Sequence, residues 1–150
     1  DHTLLAVATG NSRRGLDKVL ERHGLTGVFH SEQVADHHPS KPNPSMILTA
    51  WNDTGVRPSR AGMLGDTTYD MDMARAAGIK KIGVTWGYHA TETLKPDAMI
   101  ETFAALSGAA LHCGARRGSA VDGRASAVAT LVVETGRLCG VEVGLGTRSR

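Results

Sequence analysis

Short apolar runs alternate with stretches of helically spaced apolar residues along the first two thirds of the chain. Continuous apolar runs bounded by turn residues are typical of strands buried on both faces of a parallel sheet. They predict strands at residues 4–8, 28–30, 61–64, 79–86 and 98–100. Helical spacing predicts helices at 14–23, 45–53 and 69–77, with a closing helical turn at 102–106. This alternation predicts an α/β fold, a Rossmann-like parallel sheet with flanking helices.

The helical stretches also predict which residues reach the core. Leu16, Val19 and Leu20 share one face of the first helix. Ile47, Leu48 and Trp51 form the apolar stripe of the second, where a proline is well placed in the first turn. We expect both stripes to pack against the sheet.

The pattern changes after residue 107. Residues 108–126 are rich in Gly, Ala, Ser and Arg and show little periodicity. Residues 127–134 then predict a strand, which a turn at 135–137 joins to a second strand at 138–143 as a β-hairpin. We therefore divide the chain into a core, residues 1–107, and a tail of unknown role, residues 108–150.

Composition and charge narrow the class of protein. The 150 residues are 41% hydrophobic and 21% charged, as in ordinary globular domains, and the net charge of +2 gives no case for nucleic acid or an anionic membrane. No apolar run is as long as a membrane span. Cys113 and Cys139 lack metal-type spacing, and we interpret them as reduced thiols of a cytoplasmic protein. The chain starts at Asp1 without an initiator Met, which suggests a piece of a longer protein.

Two carboxylates follow the third predicted strand. Asp66 and Asp70 lie on either side of the turn between Gly65 and the next helix. Ligands of open α/β sheets bind outside the carboxyl ends of the strands, and paired carboxylates there suit Mg²⁺. Helix capping is the alternative, but one cap requires only one carboxylate.

Two further loops offer groups that bind anions. Thr9, Gly10, Asn11 and Ser12 join the first strand to its helix and form a potential phosphate cradle, although Asn11 or Ser12 alone could simply cap the helix. Lys41 stands among prolines before the second helix, where its charge would be rigidly presented. A solvated loop lysine is the alternative.

Other polar residues near these loops carry weaker signals. Asp72 falls on the opposite face from Asp70 and can pair with Arg75, so we predict a surface position. Met71 and Met73 are interpreted as core filler. His37 and His38 lack the spacing of a metal pair and are assigned to a loop, and His89 is either a loop residue or lies near the cleft.

The three loops should meet, because the carboxyl ends of parallel strands lie at one edge of the sheet. A hydroxyl (Thr9), an ammonium (Lys41) and two carboxylates (Asp66, Asp70) would then converge. Together they supply donors for phosphate oxygens, a cation for developing charge and a site for Mg²⁺. The combination predicts phosphoryl transfer.

These residues resemble the motifs of the haloacid-dehalogenase-like hydrolases, and in particular the phosphoglycolate phosphatases among them. Thr9 is similar to the second motif, which binds the transferring phosphoryl group, and Lys41 in Lys-Pro-Asn-Pro to the third. Residues 65–74 resemble the fourth motif, which implies Asp66 as a Mg²⁺ ligand and Asp70 as a ligand or its supporting partner. The resemblance covers residues 3–106. It implies Thr9 and Lys41 as catalytic residues, with Gly10 and Asn11 beside them at the phosphate.

The first motif of that family, Asp-x-Asp-Gly-Thr, is absent from the sequence, as is the helical cap that selects the substrate. Its first Asp is the family's nucleophile, and its strand lies between the strands of the second and fourth motifs. The resemblance therefore predicts an incomplete core with a vacant central position. We favour a longer hydrolase of which this is the later part. A non-catalytic remnant, or a tail strand at 130–133 that fills the position and precedes Glu134, are the alternatives.

The resemblance implies a Mg²⁺-dependent phosphatase of small phosphorylated metabolites that works through an aspartyl-phosphate and is inactive without its nucleophile. A haloacid dehalogenase is the enzymatic alternative, but such enzymes use no metal. A non-catalytic protein that binds metal or phosphate is another. A phospho-acceptor signalling domain would carry its acidic cluster before the Thr and the Lys, whereas here the acids come last.

Overall fold

The computed structural model describes residues 3–106 and 127–131. Its six strands are β1 (Thr3–Thr9), β2 (Ser31–Val34), β3 (Ala61–Gly65), β4 (Lys80–Val84), β5 (Ala98–Ile100) and β6 (Ala127–Leu131). The helices are α1 (Arg13–Arg22), α2 (Ser45–Thr54), α3 (Thr68–Ala77) and the short α4 (Thr91–Leu94). Short 3-10 turns lie at Ala35–His37, Pro58–Arg60 and Phe103–Ala105. The predicted α/β class is confirmed.

All strand pairs are parallel, in the order β2-β1-β6-β3-β4-β5. β1 lies beside β6 with Leu5 opposite Ala129, and β3 lies on the other side of β6 with Gly62 opposite the same residue. The expectation of a vacant central position is therefore wrong, because a strand of the tail fills it. Residues 132–150, with the end of the predicted strand, Glu134 and the second strand of the proposed hairpin, lie outside the described residues.

Helices cover both faces of the sheet. Consecutive strand residues point to opposite faces, so Val7 packs with Leu16 and Leu20 of α1, whereas Ala8 packs with α2 and α3. Met73 is fully buried in the second cluster and Met71 is nearly so, which confirms both as core residues. The alternating pattern of the sequence thus produces two apolar layers around one sheet.

Two details differ from the predicted elements. The strand expected at 28–30 is shifted, since β2 begins at Ser31, while Phe29 packs in the cluster of α1. The apolar pattern did not predict β2, because most of its residues are polar, and the side chains of Ser31 and Gln33 belong to a hydrogen-bond network. In α2 the buried stripe consists of Met46, Ile47 and Ala50, so Leu48 was wrongly assigned to the core and is 47% exposed.

Within the described residues, no helix has the length and apolar character that crossing a membrane requires.

Candidate active site

The loops that follow β1 and β2 meet at the carboxyl edge of the sheet. They border an open cleft of about 250 Å³. The Ala35 N–H donates to the Asn11 carbonyl over 3.0 Å, which ties the loop after β1 to the loop after β2. The cleft is lined by Gly10, Ala35, Ser40, Lys41, Met46 and Tyr69. The predicted convergence of the first two loops with the start of α3 is therefore observed.

The turn after β3 is closed by a reciprocal helix cap. Thr67 is the N-cap of α3, and its Oγ1 accepts a hydrogen bond from the Asp70 N–H over 3.2 Å. Asp70 Oδ2 in turn accepts from the Thr67 N–H over 3.2 Å and from the Thr67 hydroxyl over 2.8 Å. This capping box satisfies donors at the helix start. The capping interpretation is correct for Asp70 but does not apply to Asp66.

The other oxygen of Asp70 holds Lys41. The Lys41 Nζ lies 2.7 Å from Asp70 Oδ1, and the side chains are 9% and 0% exposed, respectively. Removing one partner of a buried ion pair leaves an uncompensated charge, which typically costs about 3–5 kcal/mol. Lys41 is therefore not a solvated loop lysine. Its ammonium is fixed beside the cleft.

Gly65 makes room for this arrangement. A Cβ at Gly65 would overlap the Cβ of Asp70 and lie 2.9 Å from its Cγ. The close approach requires glycine at the end of β3, because any side chain there would displace the carboxylate that holds Lys41. The glycine at position 65 thus has a steric explanation.

Asp66 faces a different environment. It is half-buried, and its Oδ2 accepts a hydrogen bond from the Tyr88 N–H over 2.8 Å. Its backbone carbonyl accepts from the His89 N–H over 3.1 Å. A Cβ at Gly87 would overlap the Cβ of Asp66. The loop after β4 therefore fixes Asp66, a relation that the sequence pattern did not reveal.

His89 lies at the start of α3. Its Nδ1 accepts a hydrogen bond from the Thr68 N–H over 3.0 Å, so the proton of the neutral ring is on Nε2. Its ring lies 5.9 Å from that of Tyr69, which lines the cleft, and 5.4 Å from that of Tyr88. The interpretation that places His89 near the cleft agrees with this position.

The loop after β1 lies on the other side of the cleft. Thr9 is fully buried, and its Oγ1 accepts a hydrogen bond from the Asn11 N–H over 3.1 Å. Gly10 is exposed and lines the cleft. Ser12 caps α1 by accepting from the Gly15 N–H over 3.2 Å, as one of the two interpretations of this loop expected.

Asp72 has no part in the cleft. Its carboxylate pairs with Arg75 over 2.8 Å, and its side chain is 44% exposed. The predicted surface pair is confirmed.

The carboxylates fit a magnesium site unequally. Among the described residues no group of three or more His, Cys, Asp or Glu side chains could hold a metal ion. Both oxygens of Asp70 are engaged, by Lys41 and by Thr67, whereas only Oδ2 of Asp66 has a partner among the described residues. Mg²⁺ is commonly bound by one or two carboxylates with waters and phosphate oxygens completing its shell. Asp66 fits that role better than Asp70, because one of its carboxylate oxygens has no partner among the described residues.

The carboxyl edge of the parallel sheet thus carries a lysine, a buried aspartate and an aspartate turn, and comparison with known proteins places this arrangement in one family. The chain belongs to the haloacid dehalogenase-like hydrolases, whose family model matches residues 1–84. It is 42% identical over 111 residues to a Dickeya dadantii protein named "Probable phosphatase IndB", covering 71% of this chain and 48% of that protein. It is 34% identical over 119 residues to a phosphoglycolate phosphatase of Agrobacterium fabrum, covering 77% and 51%.

A solved structure supports the same assignment. CbbY from Rhodobacter sphaeroides, determined in complex with phosphate, is 27% identical with a TM-score of 0.64, over 73% of this chain and 51% of that one. The chain spans about half the length of each of these relatives.

Proposed function

We propose that this chain carries the phosphate- and magnesium-binding part of a phosphatase of small phosphorylated metabolites, similar to the phosphoglycolate phosphatases. The buried Lys41–Asp70 ion pair beside the cleft is the observation that carries the proposal. A fixed ammonium in a partly desolvated site attracts phosphate oxygens more strongly than a mobile surface lysine does. The two cysteines, interpreted as reduced thiols, support a cytoplasmic location.

The phosphate would lie between two loops. The ammonium of Lys41 would approach it from one side and the loop of Thr9, Gly10 and Asn11 from the other. Because the Asn11 N–H donates to Thr9 Oγ1, the Thr9 hydroxyl proton and the Gly10 amide are the donors this loop offers, and Asn11 orients the hydroxyl. Gly10 and Lys41 already line one cleft, which supports the pairing. Backbone amides between a strand and a helix are well suited to binding phosphate.

Magnesium would be held by Asp66, and Asp70 would act from behind by keeping Lys41 in place. The bound ion would offset negative charge on the phosphate oxygens. The partial engagement of Asp66 and the full engagement of Asp70 support this division of roles.

The proposed chemistry needs a nucleophile that the sequence does not contain. In the phosphatases that this chain resembles, an Asp of the first motif attacks phosphorus and forms an aspartyl-phosphate, which water then hydrolyses. That motif is absent from the 150 residues. We therefore expect this chain to bind phosphate and magnesium with negligible turnover of phosphate esters.

Magnesium titration followed by NMR tests the metal site. Asp66→Asn should weaken magnesium binding by at least about 10-fold, since loss of even an outer partner of a metal site costs about that much. Asp72→Asn, on the adjoining helix but paired with Arg75 at the surface, is the matched control and should bind as the unaltered chain does. Equal binding by both variants would exclude Asp66 as the ligand.

Turnover is measured on the same samples. Release of phosphate from a phosphomonoester such as phosphoglycolate should stay at background with magnesium present. Magnesium-dependent turnover by the chain alone would show that its nucleophile lies elsewhere in the sequence. Release of halide from 2-haloacids that survives chelation would instead support the dehalogenase alternative.

A further inference from the structure

A second polar cluster lies next to the cleft, between β2 and α2. It connects His38, at the end of the 3-10 turn after β2, to the first residue of α2 and to two side chains of β2. His38 Nδ1 lies 2.8 Å from Ser45 Oγ, and His38 Nε2 lies 2.8 Å from Gln33 Oε1. Gln33 Nε2 donates to Ser31 Oγ over 2.7 Å and to Asp53 Oδ2 over 2.9 Å. The Ser31 hydroxyl donates to the same Asp53 oxygen over 2.7 Å.

The direction of these hydrogen bonds indicates which ring nitrogen of His38 carries the proton. Because the amide nitrogen of Gln33 donates to two oxygens, its Oε1 is the atom that faces the imidazole, and it can only accept. His38 Nε2 therefore carries the proton, and in the neutral ring Nδ1 accepts from the Ser45 hydroxyl. Donation runs from Ser45 through His38 and Gln33 to the Asp53 carboxylate, so each member orients the next.

Burial of the imidazole, assisted by the neighbouring His37, lowers the pKa of His38 below its ordinary value of 6.5. The neutral ring, with the hydrogen bonds assigned above, is therefore favoured.

The network closes the loop that carries Lys41. The segment from His38 to Ser45 contains Lys41 and is bridged at its two ends by the imidazole–hydroxyl hydrogen bond. Inside the segment the Asn43 N–H donates to the Ser40 carbonyl over 3.1 Å, and the Ser45 N–H donates to Asn43 Oδ1 over 3.0 Å. Gln33 and Ser31 are buried in the sheet edge, so the loop is attached to rigid structure at both ends.

We propose that His38 is a positioning residue for the phosphate site: by joining Ser45 to Gln33 it fixes both ends of the loop that presents Lys41. The proposal rests on the proposed function for its ligand, an inorganic phosphate or phosphomonoester. The His38 imidazole bonds to Ser45 and Gln33, neither of which lines the cleft, while its backbone N–H donates to the Ala35 carbonyl over 3.4 Å. We infer that its side chain acts through the loop. Without this bridge the loop loses its side-chain attachment to β2 and to the start of α2, and Lys41 samples positions away from the phosphate.

The first test measures affinity for inorganic phosphate at fixed magnesium, by ³¹P NMR titration. His38→Phe keeps a planar ring but removes both hydrogen bonds, and Ser45→Ala removes one. We expect roughly 10-fold weaker phosphate binding for His38→Phe, because the loop and the Lys41 side chain must then be ordered when phosphate binds. Ser45→Thr, which keeps the hydroxyl, should restore the affinity lost in Ser45→Ala. His37→Gln, an exposed neighbouring imidazole, is the matched control and should bind as the unaltered chain does.

A double substitution separates positioning from a general structural role. In a Lys41→Met background, His38→Phe should cause no further loss of phosphate affinity, because the residue through which it acts is gone. An additive loss would overturn the proposal.

The second test needs no phosphate. The ammonium group of Lys41, held by Asp70, should give a protected signal in ¹H–¹⁵N correlation spectra that Lys41→Met identifies by its disappearance. His38→Phe should broaden or remove that signal, whereas His37→Gln should keep it. An unchanged Lys41 signal in His38→Phe, or no signal in the unaltered chain, would contradict the proposal. Absence of phosphate binding with a His38-dependent Lys41 signal would instead count against the proposed function alone.

Discussion

At the scale of single residues, two aspartates four positions apart have different tasks because their surroundings differ. Asp70 is fully buried and engages Lys41 with one oxygen and Thr67 with the other. Asp66 is half-buried and has one hydrogen bond to its carboxylate, from the loop after β4. The sequence places both carboxylates in one motif. In the structure, however, Asp66 is a candidate metal ligand and Asp70 is the counterion of Lys41.

Gly87 provides a direct test of how Asp66 is positioned. In Gly87→Ala the new Cβ would overlap the Cβ of Asp66 and displace its carboxylate. We expect magnesium affinity to fall by about 10-fold, as for other changes to the partners of metal ligands. Isothermal titration with magnesium measures the change.

Gly15→Ala is the control for this substitution. Its Cβ would meet the Cβ of Asn11 at 3.4 Å, an ordinary contact, in a helix on the opposite face of the sheet. It should bind magnesium unchanged. Undiminished binding by Gly87→Ala would show that the loop can move without carrying Asp66 with it.

His38 gives stability a pH dependence whose sign follows from its depressed pKa. Between the folded pKa and the ordinary value of 6.5, the unfolded chain binds more protons at this site than the folded chain does. The contribution of neutral His38 is therefore present above that window and is lost as pH falls through it.

Urea unfolding at about pH 7.5 and about pH 5.5 measures this effect. The difference in free energy of unfolding between the unaltered chain and His38→Phe should shrink on acidification. His37, the neighbour of His38 in the chain, and Asp53, at the far end of the network, remain in both proteins, so their contributions largely cancel. A difference that stays constant with pH would show that His38 does not titrate differently on folding.

At the scale of elements, the start of α3 joins the fold to the site. Its cap is built from Thr67 and Asp70, and the same Asp70 holds Lys41. A helix cap usually involves only residues close together in the sequence. Here the capping residue Asp70 also sets the position of Lys41, a candidate catalytic residue 29 positions away in the chain. The helix start is therefore both a structural and a functional element.

Thr67→Ala should lower the free energy of unfolding by about 1 kcal/mol, the usual cost of losing an N-cap hydroxyl. It removes the acceptor of the Asp70 N–H and one of the donors to Asp70 Oδ2. Urea unfolding measures the loss, and Thr67→Ser, which keeps the hydroxyl, should recover most of it.

Thr68→Ala is the matched control for the cap. Thr68 is the first residue of α3, and its backbone N–H still donates to His89 after the substitution. It should cost little. Equal losses for Thr67→Ala and Thr68→Ala would contradict the capping box.

At the scale of the whole molecule, β6 decides whether the sheet is continuous. It lies between β1 and β3 and pairs with both, so among the described strands the hydrogen-bonded connection between the strand that carries Thr9 and the strand that precedes Asp66 runs through β6. Central parallel pairing cannot be deduced from a local pattern, because it joins residues more than 60 positions apart. The position expected to be empty is filled from the tail.

Proline substitution tests this pairing. Ala129→Pro removes a donor in the middle of β6, where a central strand cannot accommodate proline, and should lower the free energy of unfolding by about 1–3 kcal/mol, the cost of leaving a buried backbone partner unsatisfied. Ala127→Pro, at the first residue of the same strand, should be far milder. Unfolding in urea compares the two, and equal stability would place β6 outside the sheet.

The sequence allowed the class of fold, most elements and the order of the motifs to be predicted, because these depend on local periodicity and turn residues. β2 was displaced in the prediction because its Ser31 and Gln33 are polar and bond to Asp53 in another element. Gly87 and His38 were not recognised as site residues, since the first acts by leaving space and the second through a loop. No local spacing signals either function.

The sequence by itself determined that a strand, a tight turn and a helix follow one another at residues 61–77, with two carboxylates at the turn. Only the tertiary structure decided that Asp70 binds Lys41, that Asp66 is held by the loop after β4, and that β6 lies at the centre of the sheet. The physical reason is the range of the interactions. Turns and caps are formed within a few residues, whereas ion pairs and sheet neighbours form between segments far apart in the chain, and their partners are fixed only when the chain folds.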